Sequence, residues 1–394
     1  MNPEAWGQRS AERAAAAAFR RAFEGDAVVG SRAPGRVILV GEDTCYADGL
    51  VLSIAMEREV RIAARPREDA RVRVVTGEGA VTEFNCADVD PAGIAEPDAA
   101  SVARVARSLR GRGHELRGFD GAVATSVPTH LGLASSTAME VAAGVLLRAI
   151  SELDLEDSEL ARACAEAEPE APGARGAVVD ALTALAARPG HAVRVDSLDW
   201  ALRIVPVPPA LRFVILDGGV SRDPVGVEYA KRREECEQAV AAIREHDPET
   251  ASLRDVTPEE IDRWEGRLPP TLAKRVRHIV GENERVKLAA SALEQSETER
   301  FGELIAASHR SLREDCDVQV PELDVLVEVA RGAPGVVGAR MMGSARGTVN
   351  VVAAAWVDEF IERVQHRYQE RFGRRPDAYV TAAAGGAGVG KIAR

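Results

Sequence analysis

Aromatic side chains are scarce, at 4% of 394 residues, and the four tryptophans (Trp6, Trp200, Trp264 and Trp356) lie far apart. They read as packing residues and not as stacking platforms. The five cysteines (Cys45, Cys86, Cys164, Cys236 and Cys316) are odd in number and form no CxxC pair. That pattern argues against a disulfide framework or a zinc site and for a reducing compartment. No uncharged apolar run reaches the length of about 18 residues that a membrane-spanning helix needs. The alanine-rich run at 14–19 is too short and too polar in its flanks for a signal peptide. A net charge of −12 argues against nonspecific nucleic-acid binding. The expectation is a soluble, cytoplasmic monomer or homodimer that acts on a small molecule, with neither nucleic acid nor membrane as partner. Its length suits two domains.

What is present centres on residues 126–150. Residues 119–127 have the small and β-branched composition of a strand, and 137–150 that of a mostly buried helix interrupted only by Gly144. Between them lies a turn with Pro128, Gly132 and the pair Ser135-Ser136. A helix N-terminus after such a turn offers free N–H groups and the positive end of the dipole to a phosphate. The two hydroxyls suit capping, phosphate contact or Mg²⁺ ligation. An ordinary serine-capped helix fits the same stretch.

Upstream, 37–40 reads as a buried strand bracketed by Pro34-Gly35 and Gly41. The polar cluster Glu42, Asp43, Thr44, Cys45 and Tyr46 follows it, where loops commonly line a site. Residues 51–64 and 71–85 read as β, the latter a hairpin at 77–79. Helices are expected at 10–23, 99–111, 158–168, up to 187, 227–246, across most of 257–330 and at 357–371. Strands are expected at 192–195, 201–207, 212–216 and 349–354. Residues 338–348 read as a glycine-rich turn. The prolines at 206–209 mark a boundary between two α+β halves, 1–208 and 209–394. The run Gly385 to Lys391 imitates GxxxxGK, but Ile392 replaces the Ser or Thr and no helix follows, so it reads as a small-residue tail.

Taken together, Ala33 to Glu42, Pro128 to Ala138 and Gly338 to Thr348 resemble the three motifs of the GHMP kinases, and among them the galactokinases. Cys164 to Glu168, Gly173 to Asp180, Tyr229 to Arg233, Ser308 to Leu312 and Pro321 to Asp324 fall in the same order. The resemblance implies a two-domain α+β fold with the site in the cleft, and transfer of the ATP γ-phosphoryl group to a sugar's anomeric hydroxyl. It implies Asp180 as the catalytic carboxylate and Arg36 beside it. It places ATP on Pro128, Leu131, Gly132, Leu133, Ala134, Ser135, Ser136, Thr137, Gly343 and Ser344. Mg²⁺ would sit on Ser136 (or Ser135) and Glu168. The sugar would meet Glu42, Asp43, Cys45, Tyr46, Gly176 and Tyr229. Without the resemblance, Asp180 reads rather as a cap of the helix it opens and Arg36 as a surface ion-pair partner.

Departures matter too. Galactokinases typically read Glu-His-Thr-Asp-Tyr after the first motif, where this chain has Glu42-Asp-Thr-Cys-Tyr46. A thiol poorly replaces a carboxylate that accepts hydroxyl hydrogen bonds, which points to an acceptor other than plain galactose, such as another hexose, a pentose, an amino sugar or a cyclitol. The third motif, Gly343-Ser-Ala-Arg-Gly-Thr348, has lost glycines. A galactokinase-like binder without turnover is the second reading.

Overall fold

The structure is a computed structural model that describes residues 4–77, 79–168, 175–220, 225–343 and 346–392. The chain opens with α1 (Glu4–Ala22), β1 (Val29–Val40), β2 (Leu50–Pro66), β3 (Arg71–Thr76) and β4 (Thr82–Asn85). Then come α2 (Pro97–Gly111), β5 (Phe119–Thr125), α3 (Ser135–Ile150), α4 (Asp157–Ala167), α5 (Arg175–Ala186), β6 (His191–Asp196) and β7 (Leu202–Pro206). After Pro208-Pro209 follow β8 (Leu211–Asp217), α6 (Val225–Arg244), α7 (Ile261–Glu265), α8 (Pro270–Glu294), α9 (Thr298–Glu314) and α10 (Pro321–Arg331). The chain closes with β9 (Val336–Met341), β10 (Gly347–Ala353), α11 (Val357–Phe372), β11 (Asp377–Thr381) and β12 (Gly388–Lys391).

Two sheets result. The first runs β12-β1-β2-β5-β3-β4, with β6 and β7 branching from β2; the second runs β11-β8-β10-β9. Among the described residues only the β3–β5 pair is parallel in the first sheet. Helix α3 is the core's centre: residues 137–147 are all buried, against α2, α4, α5 and β1. Gly144 permits that packing, because a Cβ there would lie 2.9 Å from Leu160 Cδ1. Among the described residues no helix is long and apolar enough to cross a membrane.

Three local expectations change. The strand expected at 37–40 begins at Val29 and runs through Pro34-Gly35. Its ladder with β2 shifts register between Pro34 and Arg36, which absorbs the proline's missing N–H. Gly35 is needed there, since a Cβ would lie 2.9 Å from Leu133 O. The glycine-rich turn is shorter than 338–348, for Gly338 to Met341 belong to β9, where Gly338 lies close against Gly302. The C-terminal run is no loose tail. Gly388 to Lys391 pair antiparallel with Val29 to Arg32, so this strand joins the first sheet.

Candidate active site

Arg36 and Asp180 stand 144 residues apart in sequence and meet in the structure. Arg36 Nε donates to Asp180 Oδ1 at 2.5 Å and Nη2 to Oδ2 at 2.9 Å, a two-point clamp that a point charge cannot imitate. The third nitrogen, Nη1, donates to Gly132 O at 2.8 Å, and the Arg36 backbone N–H donates to Leu133 O at 3.0 Å. One residue therefore holds both the aspartate and the turn before α3. Asp180 is fixed from behind by its own helix, where Thr183 Oγ1 sits 2.8 Å from Ser53 Oγ of β2. Burial raises the Asp180 carboxyl above the ordinary aspartate range, and the Arg36 charge and hydrogen bonds hold that rise back. The carboxylate is thus a stronger base than a solvated one.

The turn at 132–134 carries positive φ at Gly132 (70°) and at Ala134 (56°). Ala134 occupies the N-cap position and no side chain caps α3, so the serines are not the caps the sequence suggested. Ser135 and Ser136 stand instead in the helix's first turn, and Ser136 is exposed toward the cavity. Cys164 Sγ lies 3.4 Å from Glu140 O, and position 144 faces Leu160, so α3 and α4 run antiparallel with 144 against 160 and 140 against 164. Glu168 directly follows the end of α4 and lines the same cavity as Ser136. A hydroxyl and a carboxylate are a fitting donor set for Mg²⁺, which takes a few protein oxygens and completes its shell with water and phosphate. Among the described residues no cluster of three or more His, Cys, Asp or Glu offers an alternative cation cage.

A cavity of about 350 Å³ gathers Arg36, Asp180, Glu42, Asp43, Cys45, Gly176, Tyr229, the turn Gly132 to Thr137 and Glu168. Of the remaining site candidates, Leu131 is buried beneath the turn and Pro128 flanks it. Tyr46 packs its ring edge-on against Tyr229 at 5.1 Å and supports the wall from behind. Gly343 abuts Glu42, and Ser344 lies outside the described residues.

Two of the three ion pairs at the acceptor end are ones the sequence did not suggest. Glu42 pairs with Arg340, Asp43 with Arg232 (Nε to Oδ2, 2.7 Å) and Asp180 with Arg36, one guanidinium for each carboxylate. Asp43 sits at φ 56° and burial raises its carboxyl while Arg232 opposes the rise. Cys45 Sγ lies 3.4 Å from Tyr229 Oη, and a Cβ on Gly176 would touch both. Burial pushes the Cys45 thiol up to about 11, so it stays uncharged at neutral pH. Arg232 and Arg340 lie within segments that the family resemblance covers, but nothing local to them reveals their partners 189 and 298 residues away.

Three family signatures match this chain in order. The galactokinase galactose-binding signature covers residues 17–66, the GHMP kinase N-terminal domain residues 100–188 and the GHMP kinase C-terminal region residues 289–370. The fold and these signatures define a GHMP kinase. A mevalonate kinase from Methanococcus jannaschii, only 14% identical, shares that fold with a TM-score of 0.60 over 92% of this chain and 99% of its own. Within that class, the chain belongs to the galactokinase family. It is 38% identical over 375 residues to the galactokinase of Chloroflexus aggregans, covering 95% of this chain and 96% of that one. The galactokinase of Chloroflexus aurantiacus is 39% identical over 380 residues, with the same coverage. The crystal structure of Lactococcus lactis galactokinase complexed with galactose matches with a TM-score of 0.86 and 29% identity, over 95% of this chain and 98% of that one. This is an ATP-dependent, Mg²⁺-using sugar kinase.

Proposed function

We propose that the protein phosphorylates the anomeric hydroxyl of a neutral sugar whose hydroxyl pattern differs from that of galactose. The observation that carries the reading is the Arg36 bridge: one guanidinium clamps Asp180 and also holds Gly132 of the phosphate turn. A base for the acceptor hydroxyl is thereby fixed relative to the triphosphate cradle, which is the positioning that phosphoryl transfer requires. Asp180 takes the hydroxyl proton on a carboxylate oxygen, and Arg36 stabilises charge developing nearby. The N–H groups at the start of α3 would hold the phosphates, while Ser136 and Glu168 would hold Mg²⁺, which would neutralise phosphate charge.

The acceptor end argues for the sugar's character. Each carboxylate there already faces a guanidinium, which leaves no surplus anion for the ammonium of an amino sugar. Where galactokinases place an aspartate, this cavity presents the neutral Cys45 thiol beside the Tyr229 hydroxyl. A galactose hydroxyl aimed at that spot loses a strong, charge-assisted acceptor.

The test is ADP release with Mg·ATP against galactose and a panel of other hexoses, pentoses, deoxy sugars, amino sugars, uronic acids and cyclitols. A neutral sugar with kcat/KM above that of galactose supports the proposal; galactose as the best substrate overturns its specificity part. Sugar and ATP binding without any turnover would favour a non-catalytic binder. The variant Cys45→Asp is expected to raise kcat/KM for galactose by about 10- to 100-fold, the worth of one charge-assisted hydrogen bond. No gain would mean that position 45 does not set specificity. Asp43 is a poorer target, because Asp43→His would strand the buried Arg232 without its carboxylate.

A further inference from the structure

Arg340 is fully buried, an unusual place for a guanidinium. It projects from β9 in the second sheet and crosses to the first. Its Nη2 donates to Ile38 O at 3.0 Å and to Glu42 Oε2, while Nε and Nη1 make no hydrogen bond. Among the described residues Glu42 is thus the only acid that compensates this buried charge in a direct ion pair. Its side chain is nearly buried too, yet it lines the cavity that holds Asp180. On the other side Gly343 presses against it. A Cβ built there would lie 2.5 Å from Glu42 Cγ and 2.6 Å from Cδ and Oε1. The carboxylate is gripped between a guanidinium and a bare backbone.

We propose that Arg340 is a positioning residue for the acceptor, and that with Gly343 it aims the Glu42 carboxylate into the sugar end of the cavity. The glycine of the third motif then serves the acceptor side: its missing side chain makes room for Glu42. The inference rests on the kinase reading above. Two physical points support it. A carboxylate that swung away would leave Arg340 buried with one carbonyl as its sole partner, so the pair is locked. The ion pair also leaves acceptor capacity on Glu42, since a carboxylate has about four lone-pair sites and Nη2 uses one. A group held rigidly by a neighbour outside the cavity, with capacity to spare inside it, is what substrate orientation needs.

The experiment is steady-state kinetics with sugar and ATP varied separately, using galactose and the panel sugar with the highest kcat/KM. The variants are Gly343→Ala, Arg340→Lys, Arg340→Met and Glu42→Gln, each with its thermal midpoint measured. Gly343→Ala is the decisive one, because it displaces the carboxylate while leaving the buried charge pair chemically intact. It is expected to raise the sugar KM about 10-fold or more, with the ATP KM within about twofold of wild type. Arg340→Lys should keep more sugar affinity than Arg340→Met, because an ammonium still pairs with Glu42. Gly343→Ala added to Glu42→Gln should cost less than the sum of the two, since both act through one carboxylate. A folded Gly343→Ala with wild-type sugar KM, or a rise confined to the ATP KM, would overturn the role assigned to Arg340 and Gly343. Absence of turnover by the wild type on every sugar would instead sink the kinase reading beneath it.

Discussion

Asp180→Asn is expected to lower kcat by about 10²- to 10⁴-fold, the range of a lost general base, with ATP affinity little changed. The amide keeps the shape of the carboxylate but can neither take the acceptor proton nor balance Arg36, whose clamp is made to both oxygens. In the proposed arrangement ATP affinity is spared because the side chain serves the acceptor, while backbone at 132–136 would cradle the triphosphate and is left in place by the substitution. Single-turnover phosphoryl transfer, paired with an ATP binding titration, reads the two separately. An Asn variant within tenfold of wild-type kcat would remove Asp180 from the chemistry. The pH profile supplies a second check. Burial lifts the Asp180 carboxyl, and the base must be ionised to work, so activity should fall on the acid side at a pH above the ordinary aspartate value. Arg36→Lys should move that limb further up, since an ammonium loses the two-point clamp that opposes the rise.

Much of this architecture was legible in sequence because it is locally encoded. The apolar run after Ser136 declares α3, and alternation with β-branched residues declares β2, β6 and β8. Where local signals misled, a distant contact had overridden them. Pro34-Gly35 looks like a strand boundary, yet β2 carries the strand across it through a register shift, and the glycine is spent on approach to Leu133. Ser135 looks like a cap, yet the turn satisfies itself with Ala134 in the left-handed region. The candidate site was legible for a different reason: motif order identified Arg36, Glu42, Glu168 and Asp180, and one cavity collects them. The arginines opposite Glu42 and Asp43 stayed invisible, because a salt bridge spanning 298 or 189 residues leaves no spacing to read. Their discovery also changes the chemistry inferred for Asp43. In sequence Asp43 offers an acceptor to an amino group or a differently placed hydroxyl; in the fold it is half of a buried pair.

Glu282→Ala is expected to cost about 3–5 kcal/mol of stability, the penalty for breaking a buried charge network, and to abolish sugar affinity with it. Glu282 lies fully buried in the middle of α8. Its Oε1 accepts from the Gly41 N–H at 2.9 Å and from Ser308 Oγ, and its Oε2 accepts from Arg285 Nε. Two neighbours on the same helix hold the same loop. Asn283 Oδ1 accepts from the Leu50 N–H at 2.8 Å, and His278 Nε2 lies 3.0 Å from Glu42 O. A carbonyl can only accept, so Nε2 carries a proton toward Glu42 O, and burial lowers that ring's basicity. Both ends of the acceptor loop, Gly41 to Leu50, therefore hang from α8, and removing Glu282 frees the end that bears Glu42 and Asp43. The loss should be pH-dependent in a fixed direction. Burial raises the Glu282 carboxyl, but Arg285, His278, Ser308 and the Gly41 N–H outweigh it and bring it to about 2. A carboxyl whose folded value lies below its unfolded value of about 4.3 stabilises fully above that pH and loses the contribution as pH falls toward the folded value. Denaturant unfolding of wild type and Glu282→Gln should thus differ most near neutral pH, and the gap should narrow from about pH 4 down to about pH 2. A gap that stays constant across that window would mean the side chain contributes shape and hydrogen bonds alone, and that its charge does not hold the acceptor loop in place.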